Sequence, residues 1–370
     1  MSTVSSITHL YSLLYSNLIH KPKQIVRLMK TPSLYKSASY YPELPPRGSR
    51  NNFIYQVMQI IKYGFPNDYF FMYGMDVKSD IEREKYVNYA EFMKLRDKLN
   101  NIPNNGADIL RNKLYFYIVA RSIGIDTPEV RYAFVAGKLF SVNGGLTEIS
   151  FNSILSNDKD LFCKELNGEC GKGVHSISIK ENRVFIDGRL SSIETLEGIM
   201  RGSNFIMQDY LHQHHEMNRL YPNSVNTIRL VTVQDNNKHR IVVFPSILRI
   251  GANGAFVDNT SQGGIAVGFN LKTGQLNEFG FFKPQYGRRV SAHPNSGVVF
   301  SDFHIPFIEK AVNDAVRFHE LLGGIHSIGW DIAIGDQGPV FIEGNDNWEI
   351  NGPQVGNHGF RDEINTFFKI

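Results

Sequence analysis

The stretch GWDIAIGDQGPVFIEGNDNW, residues 329–348, contains two apolar runs joined by a short polar turn. Alternating apolar and other side chains are typical of β-strands, so the stretch is predicted to form a β-hairpin. Residues 336–338, Asp-Gln-Gly, are predicted to form a three-residue turn, because its last position favours a left-handed glycine. This turn would place Asp331 directly opposite Glu343 on the neighbouring strand.

The predicted register sorts the side chains of the hairpin onto two faces. One face is apolar and carries Ile332, Ile334, Val340 and Ile342. The other carries Asp331, Ala333, Phe341 and Glu343, with Asn345 two residues further along. Two opposed carboxylates repel unless a cation lies between them or they share a proton. Because Mg²⁺ prefers oxygen ligands of this kind, Asp331, Glu343 and Asn345 are predicted metal ligands; a solvated hairpin face is the alternative.

A magnesium site of this kind predicts phosphates nearby, and phosphates need cations and backbone N–H groups. The segment LFCKELNGECGKGVHSI, residues 161–177, places Lys164 at the end of an apolar run, before a loop that carries Lys172. The loop glycines, which would let backbone amides approach phosphate oxygens, are Gly168, Gly171 and Gly173. The segment is not a Walker A motif, because no Ser or Thr follows the lysine. An ordinary glycine-containing hairpin is the alternative interpretation.

The rest of the chain predicts an α+β fold with mixed and antiparallel sheets. Residues 1–105 read as a mainly helical N-terminal region, and two further units are predicted at 106–207 and 208–370. Strands are predicted for the runs DLFCKEL, GVHSISI, NFIMQDYL, NTIRLVTV and HRIVVFPSILRI. Helices are predicted for LRNKLYFYIVARSIGI and for HIPFIEKAVNDAVRFHELLGG, the second with Pro306 in its first turn.

Composition narrows the class of protein. The 370 residues are 42% hydrophobic and 20% charged, enough for a substantial core, and the net charge of +3 is too small to indicate a nucleic-acid partner. Cys163 and Cys170 match neither a metal motif nor a disulfide framework, which favours a cytoplasmic location. No apolar run approaches the ~18 residues of a transmembrane helix.

The N-terminal stretch allows two interpretations. Residues 4–18 have helical apolar spacing and are followed by a basic segment that ends at Lys30. A helix packed on the body of the protein is one interpretation. The other is peripheral contact of residues 4–30 with an anionic membrane at its inner face, which co-sedimentation with anionic liposomes would distinguish.

Over residues 108–352 these motifs resemble the ATP-grasp superfamily, and most closely the sugar-transfer-associated family linked to polysaccharide biosynthesis. The resemblance implies two α+β lobes that sandwich ATP. In NKLYFYIVARSIGIDTPEV it implies that Lys113 contacts the nucleotide, and in CKELNGECGKGV that Lys164 contacts the phosphates beneath a lid at 167–174. The lid residues implied to bind ATP are Gly171, Lys172 and Gly173.

The resemblance also assigns the base, ribose and metal contacts. NFIMQDYL resembles the hinge strand beneath adenine, so the residues implied to line the base are Gln208, Asp209, Tyr210 and Leu211. In HQHHEM, either His215 or Glu216 would hold the ribose. GWDIAI and FIEGN resemble the magnesium site, again implying Asp331, Glu343 and Asn345 as ligands.

Two features depart from the family pattern. Many ATP-grasp ligases carry an arginine two residues before the first magnesium aspartate, and here that position is Gly329. Arg229 and Arg249 are candidates to supply the missing charge, because a charged residue within an apolar strand usually has a partner; a salt bridge at a sheet edge is the alternative. A histidine cluster, His212, His214 and His215, allows a weaker hypothesis of a transition-metal site, with no further ligand evident in the sequence.

The resemblance implies an ADP-forming carboxylate–amine ligase that uses ATP and Mg²⁺ and proceeds through an acyl phosphate. Lys164, Lys113 and an arginine would balance the triphosphate charge. The substrates implied are a small-molecule carboxylate, such as a sugar acid of a cell-surface polysaccharide, and an amine or amino acid. The alternatives are an ATP-grasp phosphotransferase, a peptide or amino-acid ligase of secondary metabolism, and a non-catalytic nucleotide-binding protein.

Overall fold

The computed structural model describes residues 16–101, 106–168, 173–235 and 237–368. The predicted α+β class is confirmed, with helices packed on two β-sheets. The expectation of a mixed sheet is wrong, because every strand pairing among the described residues is antiparallel. Of the N-terminal helix predicted at 4–18, residues 4–15 lie outside the described part. Within the described part, no helix is long and apolar enough to cross a membrane.

The described part of the N-terminal region is helical, as predicted. Its α-helices are α1 (Lys21–Lys30), α2 (Ser49–Tyr63), α3 (Asp80–Glu84) and α4 (Tyr89–Asn100). The side chain of Asn88 caps α4 by accepting a hydrogen bond from the backbone N–H of Ala90. A buried aromatic cluster that includes Tyr40, Phe70 and Tyr73 also contains Phe281 from the later part of the chain. The N-terminal region is therefore packed against the rest of the protein.

The first sheet follows two helices, α5 (Ala107–Arg111) and α6 (Lys113–Ser122). Its strands are β1 (Val130–Val135), β2 (Lys138–Ser141), β3 (Thr147–Ile149), β4 (Lys159–Glu165), β5 (Val174–Lys180), β6 (Arg183–Ile186), β7 (Arg189–Ser191) and β8 (Phe205–Asp209). Their order in the sheet is β3-β2-β1-β8-β4-β5-β6-β7. Helix α7 (Ile193–Met200) packs on one face, where Cys163 is buried in the core.

The second sheet contains the predicted hairpin of residues 329–348. Its strands are β9 (Thr227–Asp235), β10 (Arg240–Ile250), β11 (Ile265–Phe269), β12 (Leu276–Phe281), β13 (Arg289–Val290), β14 (Ser327–Gly335) and β15 (Gly338–Asn345). Their order is β13-β12-β11-β10-β9-β14-β15. The second sheet begins after β8, close to the predicted boundary between residues 207 and 208, and the three-unit division stays a prediction.

Four helices accompany the second sheet: α8 (His215–Leu220), α9 (Ile308–Leu322), α10 (Asn351–Gly356) and α11 (Arg361–Phe367). Helix α9 buries Phe318 against Trp330 of β14, with ring centroids 4.9 Å apart. The prediction that Pro306 lies in the first turn of this helix is wrong by two residues, because the helix begins at Ile308. Phe307 precedes it in a left-handed conformation, with φ of 54°.

Candidate active site

The hairpin brings Asp331 and Glu343 directly opposite each other, which confirms the central prediction. The predicted turn is nevertheless wrong. Gly335 pairs with Gly338, so the loop contains only residues 336 and 337. The register then shifts between the Ile332–Phe341 and Asp331–Glu343 pairs, leaving Ile342 as an extra residue in β15. This β-bulge restores the acidic pair that a regular two-residue hairpin would have lost.

The bulge also changes which side chains share a face. Phe341, predicted to lie on the acidic face, is fully buried in the core together with Trp330, Ile332 and Ile334. Ile342, predicted to lie on the apolar face, is only half-buried and does not belong to this core cluster. The predicted faces are therefore correct for β14 and wrong for part of β15, because an extra residue reverses the alternation along one strand.

Asp331 is buried and bound by two arginines. Its side chain is 6% exposed. Arg229 lies opposite Asp331 on the neighbouring strand β9, and its Nε donates to Oδ1 of Asp331 at 2.5 Å. A terminal nitrogen of Arg249, on β10, lies 3.0 Å from Oδ2 of the same carboxylate. The two arginines predicted to supply positive charge are thus brought to the acidic pair.

The two carboxyl groups differ in their protonation behaviour. Burial opposes ionisation of Asp331, but Arg229 and Arg249 outweigh it and hold its pKa well below the ordinary value. Burial raises the pKa of Glu343, and the adjacent charge of Asp331 raises it further. Of the two carboxyl groups, Glu343 therefore depends more on an additional cation to remain ionised.

Arg249 is held in place by a second acidic residue that the sequence argument missed. Its guanidinium donates to Oγ1 of Thr227, which lies opposite it in the sheet, at 2.6 Å and 3.0 Å. Oδ2 of Asp258 accepts from the backbone N–H of Thr227 at 3.0 Å and lies 3.5 Å from Nε of Arg249. Asp258 follows the glycine-containing segment GANGAF and reads in the sequence as a solvated loop residue, so no local signal identifies it.

Steric contact explains the glycine at position 329. A Cβ atom added to Gly329 would lie 2.6 Å from Cβ of Trp348 and 3.3 Å from Cδ of Arg229. An arginine at this position has no room, and the guanidinium beside Asp331 instead comes from the adjacent strand. The geometry therefore agrees with the prediction that Arg229 supplies the charge of the missing arginine.

The oxygen atoms of the hairpin suit a hard divalent cation. Glu343 and Asp331 are neighbours, and Nδ2 of Asn345 donates to Oε1 of Glu343 at 3.2 Å. Because Mg²⁺ takes one or two carboxylates and completes its shell with waters and phosphates, the raised pKa of Glu343 and its position beside an amide fit such an ion. Arg229 and Arg249 already neutralise Asp331, so the oxygen atoms of Glu343 and Asn345 are more available to a metal ion.

Lys164 lies on the face of the first sheet opposite the α7 core. Its neighbours Leu161 and Cys163 point into that core, whereas Lys164 lies across from Ile206 of the other face. Burial lowers the pKa of Lys164, while Glu343 of the second sheet partly offsets this effect. Its ammonium group donates no hydrogen bond to any described residue, and it lies 5.7 Å from the centre of the ring of Phe162. A half-buried cation in this state favours an anionic ligand.

Lys113 lies close to the same region, at the start of α6. Its Nζ donates to the backbone carbonyl of Gly168 at 2.6 Å, at the beginning of the predicted lid. Of the predicted lid residues, Gly171 and Lys172, together with Cys170, lie outside the described part of the chain. Gly173 has a left-handed φ of 64°, a conformation that favours glycine, and a Cβ there would lie 2.8 Å from Cγ of the Glu165 side chain.

The residues predicted to line the base occupy the end of β8. Gln208 is buried opposite Phe162, and the ring of Tyr210 lies 4.7 Å from that of Phe162, on the same face as Lys164. Leu211 follows and is half-buried. The carboxylate of Asp209 instead accepts hydrogen bonds from Arg131, two of them at 2.9 Å, so any contact with a base would fall to its backbone.

The two candidates for the ribose contact lie at the start of α8. Glu216 is bound at 2.5 Å by Arg219 of the same helix, whereas the imidazole of His215 is largely exposed, with the carboxylate of Glu216 3.4 Å away. The histidine cluster gains a partner that the sequence did not reveal. His214, His215 and Asp336 have potential ligand atoms within 4.8 Å of one another, because the hairpin turn lies beside α8; His212 is not part of this group.

A cavity of about 1150 Å³ opens in front of the acidic pair. Its wall includes the carboxylates and arginines of the hairpin region, namely Asp331, Glu343, Arg229 and Arg249. Lys113, at the start of α6, and Gly168, in the loop after β4, also line the cavity. The N-terminal region contributes Tyr69, Met72, Tyr89 and Met93, which the sequence argument did not assign to any site. Three separate parts of the chain thus meet at one cavity.

The acidic pair that the ATP-grasp resemblance implies thus lies in the wall of this cavity. A sequence profile of the sugar-transfer associated ATP-grasp family matches residues 93–368. The chain therefore belongs to the sugar-transfer associated ATP-grasp family. A search of curated proteins gives no sequence match.

Solved structures similar to this chain include several ligases. D-alanine–D-alanine ligase from Bacillus anthracis is 13% identical with a TM-score of 0.40, covering 71% of this chain and 68% of the ligase. L-amino acid ligase from Bacillus licheniformis is 14% identical with a TM-score of 0.38, covering 74% and 51%. N5-carboxyaminoimidazole ribonucleotide synthetase from Staphylococcus aureus, in complex with ADP, is 11% identical with a TM-score of 0.38, covering 70% and 51%. The chain thus spans about half the length of the last two proteins.

Proposed function

We propose that the protein is an ADP-forming carboxylate–amine ligase that uses ATP and Mg²⁺. The observation that carries this proposal is the opposed pair of buried Asp331 and half-buried Glu343, placed beside Arg229 and Arg249 in the wall of a large cavity. Two opposed carboxylates that are withdrawn from water are costly to a protein unless cations compensate them. Because the chain belongs to the ATP-grasp family, ATP and Mg²⁺ are the molecules expected to bind there.

Each residue of the site has a proposed role. Glu343, Asn345 and Asp331 would hold Mg²⁺, which when bound would neutralise phosphate charge. Lys164 and Lys113 would bind the phosphates of ATP, with Gly171, Lys172 and Gly173 covering them. Gln208, Asp209, Tyr210 and Leu211 would line the base. His215 is the better candidate for the ribose, because Arg219 already engages Glu216.

The reaction we propose has two steps. An oxygen of the substrate carboxylate attacks the γ-phosphorus, the bond between that phosphorus and the bridging oxygen breaks, and ADP leaves. The nitrogen of the amine then attacks the acyl carbon, phosphate leaves, and a proton is released to give the amide. The chain's own residues position these groups and balance their charge: Lys164 and Arg249 carry fixed positive charge toward the transferring phosphoryl group. Exclusion of water would protect the acyl phosphate.

The substrate classes are inferred from the family description. Sugar transfer indicates a carboxylate on a sugar acid of a cell-surface polysaccharide and an amino acid or other amine as its partner. The reaction would take place in the cytoplasm, where ATP is available. A phosphotransferase, a peptide ligase of secondary metabolism and a binding protein without turnover are the competing functions.

Phosphorus NMR of a running reaction tests this function. The purified protein is incubated with ATP, Mg²⁺ and pools of uronic acids and amino acids, and ³¹P spectra and product masses are recorded. ADP, free phosphate and amide should appear in equal amounts, because each amide formed consumes one γ-phosphoryl group. AMP with pyrophosphate would refute the mechanism. A stable phosphorylated product without free phosphate would instead identify a phosphotransferase.

Lys164→Ala should weaken the binding of ATP by about tenfold or more while leaving adenosine binding unchanged, because a charge-assisted contact to phosphate is removed and the base contacts remain. Calorimetric titrations with both ligands measure the difference. Lys159→Ala is the matched control, since Lys159 lies at the other end of β4 and donates to the hydroxyl of Tyr132. Equal weakening of ATP and adenosine would show that Lys164 is a structural residue.

A further inference from the structure

Part of the cavity is formed by aromatic and sulfur-containing side chains around a single carboxylate. We call this part the aromatic chamber, and it consists of Tyr69, Met72, Tyr89, Met93 and Glu349. Tyr89 and Met93 are one helical turn apart on α4, so they present the same helix face. Oη of Tyr89 donates to Oε1 of Glu349 at 3.4 Å. None of these five residues belongs to the motifs assigned to ATP or Mg²⁺.

The chamber is held rigidly in place. Arg96, one turn further along α4 from Met93, donates at 2.5 Å to the backbone carbonyls of both Asn347 and Trp348. These bonds fix the segment before Glu349 against the helix that carries Tyr89. On the other side, Oη of Tyr73 donates to Oδ1 of Asn351 at 2.8 Å. A chamber formed in advance of binding lowers the entropic cost of ordering a ligand there.

The chamber has a net negative charge. Glu349 forms no ion pair with any described lysine or arginine, and it is exposed to the cavity. Burial raises the pKa of the hydroxyl groups of Tyr69 and Tyr89, and the charge of Glu349 raises both further, so the two tyrosines stay neutral. Arg96 also reaches the cavity, but its charge is already engaged by Asp97 and the two carbonyls.

We propose that the aromatic chamber binds the amine substrate of the ligase as its ammonium ion, which releases one proton to water before its nitrogen attacks the acyl phosphate. This inference rests on the proposed function. Aromatic ring faces and a carboxylate together recognise ammonium groups, and the methionine side chains offer an adaptable apolar surface for the attached carbon skeleton. Glu349 would repel the carboxylate substrate, so this part of the cavity favours the amine over the carboxylate.

The test uses benzylamine, which is protonated at neutral pH, and benzyl alcohol as its neutral analogue of the same shape. The full chain is labelled with ¹³C at its methionine methyl groups, and the signals of Met72 and Met93 are assigned from Met72→Leu and Met93→Leu. Benzylamine should shift both signals saturably, and benzyl alcohol should bind about tenfold more weakly or not at all.

Glu349→Gln provides the charge test, because it keeps the shape of the side chain. The affinity of the variant protein for benzylamine should fall by about tenfold, while its affinity for benzyl alcohol should be unchanged. Glu320→Gln is the matched control, since Glu320 is an exposed glutamate on α9 outside the cavity. Equal binding of amine and alcohol, or unchanged amine binding in Glu349→Gln, would overturn the proposal.

An ATP titration of the same labelled samples separates the two proposals. ATP binding in the presence of Mg²⁺, without any benzylamine shift at Met72 or Met93, would overturn the chamber alone. Failure of ATP to bind would overturn the proposed function. Binding of ATP together with a Glu349-dependent amine shift supports both.

Discussion

Glu343→Gln is expected to reduce Mg²⁺-dependent ADP formation by about 100-fold or more, because removal of a preorganised charge at a phosphoryl-transfer site costs this much. The substitution keeps the shape of the side chain and removes only its charge. Burial and Asp331 both disfavour ionised Glu343, so the folded protein should lose no stability and can gain some. A steady-state assay with increasing Mg²⁺ and a urea denaturation curve give the two measurements.

The control for this variant is Glu278→Gln, which removes an exposed glutamate from strand β12 of the same sheet. Its activity and stability should match the unmodified protein. Retention of more than half of the activity in Glu343→Gln would contradict the metal-ligand role. Loss of activity together with a large loss of stability would mean that Glu343 supports the fold instead.

Asp331→Ala should lower the free energy of unfolding by about 3–5 kcal/mol, because it leaves buried positive charge without its partner. The side chains of Arg229 and Arg249 are each only 16% exposed, and both contact this carboxylate. Asp258 forms an ion pair with Arg249 but, within the described residues, with no other arginine, so Arg229 loses more than Arg249 when Asp331 is removed. Urea denaturation monitored by tryptophan fluorescence measures the change.

A double-mutant cycle isolates the interaction between these two side chains. Arg229→Met combined with Asp331→Ala should be less destabilised than the sum of the single variants, since the second change removes the uncompensated charge. Additive effects would show that Asp331 and Arg229 are not coupled, which would contradict the proposed cause of the lost stability. Activity should stay low in the two variants that lack Asp331, because Asp331 also contributes to the proposed metal site.

Much of the acidic site could be predicted because it is encoded locally. The opposition of Asp331 and Glu343 follows from a hairpin of known length, and the two arginines stand out as charges within apolar strands. The turn itself was mispredicted. A three-residue loop and a two-residue loop followed by a bulge place the same two residues opposite each other, and the sequence around Ile342 does not distinguish them.

The remaining parts of the site depend on contacts between distant segments. Tyr69 and Tyr89 reach the cavity only because the N-terminal region packs against the second sheet, more than 200 residues later in the chain. Asp258 reaches Arg249 from a loop with no periodic pattern. Asp336 joins His214 and His215 because a hairpin turn lies beside a helix. None of these contacts leaves a signal at a fixed spacing in the sequence.

The close contact between Gly329 and Trp348 has a consequence for how this site can change during evolution or design. An arginine can occupy position 329 only if residue 348 becomes glycine, because the nearest clash is with the Cβ atom that every other side chain carries, and if the side chain at 229 shortens. Gly329→Arg alone would produce a clash, shortening of the side chain at 229 alone would leave Asp331 with only Arg249, and Trp348→Gly alone would leave a cavity in the core. Positions 229, 329 and 348 should therefore exchange as a set, and the two solutions are separated by intermediates that fold poorly.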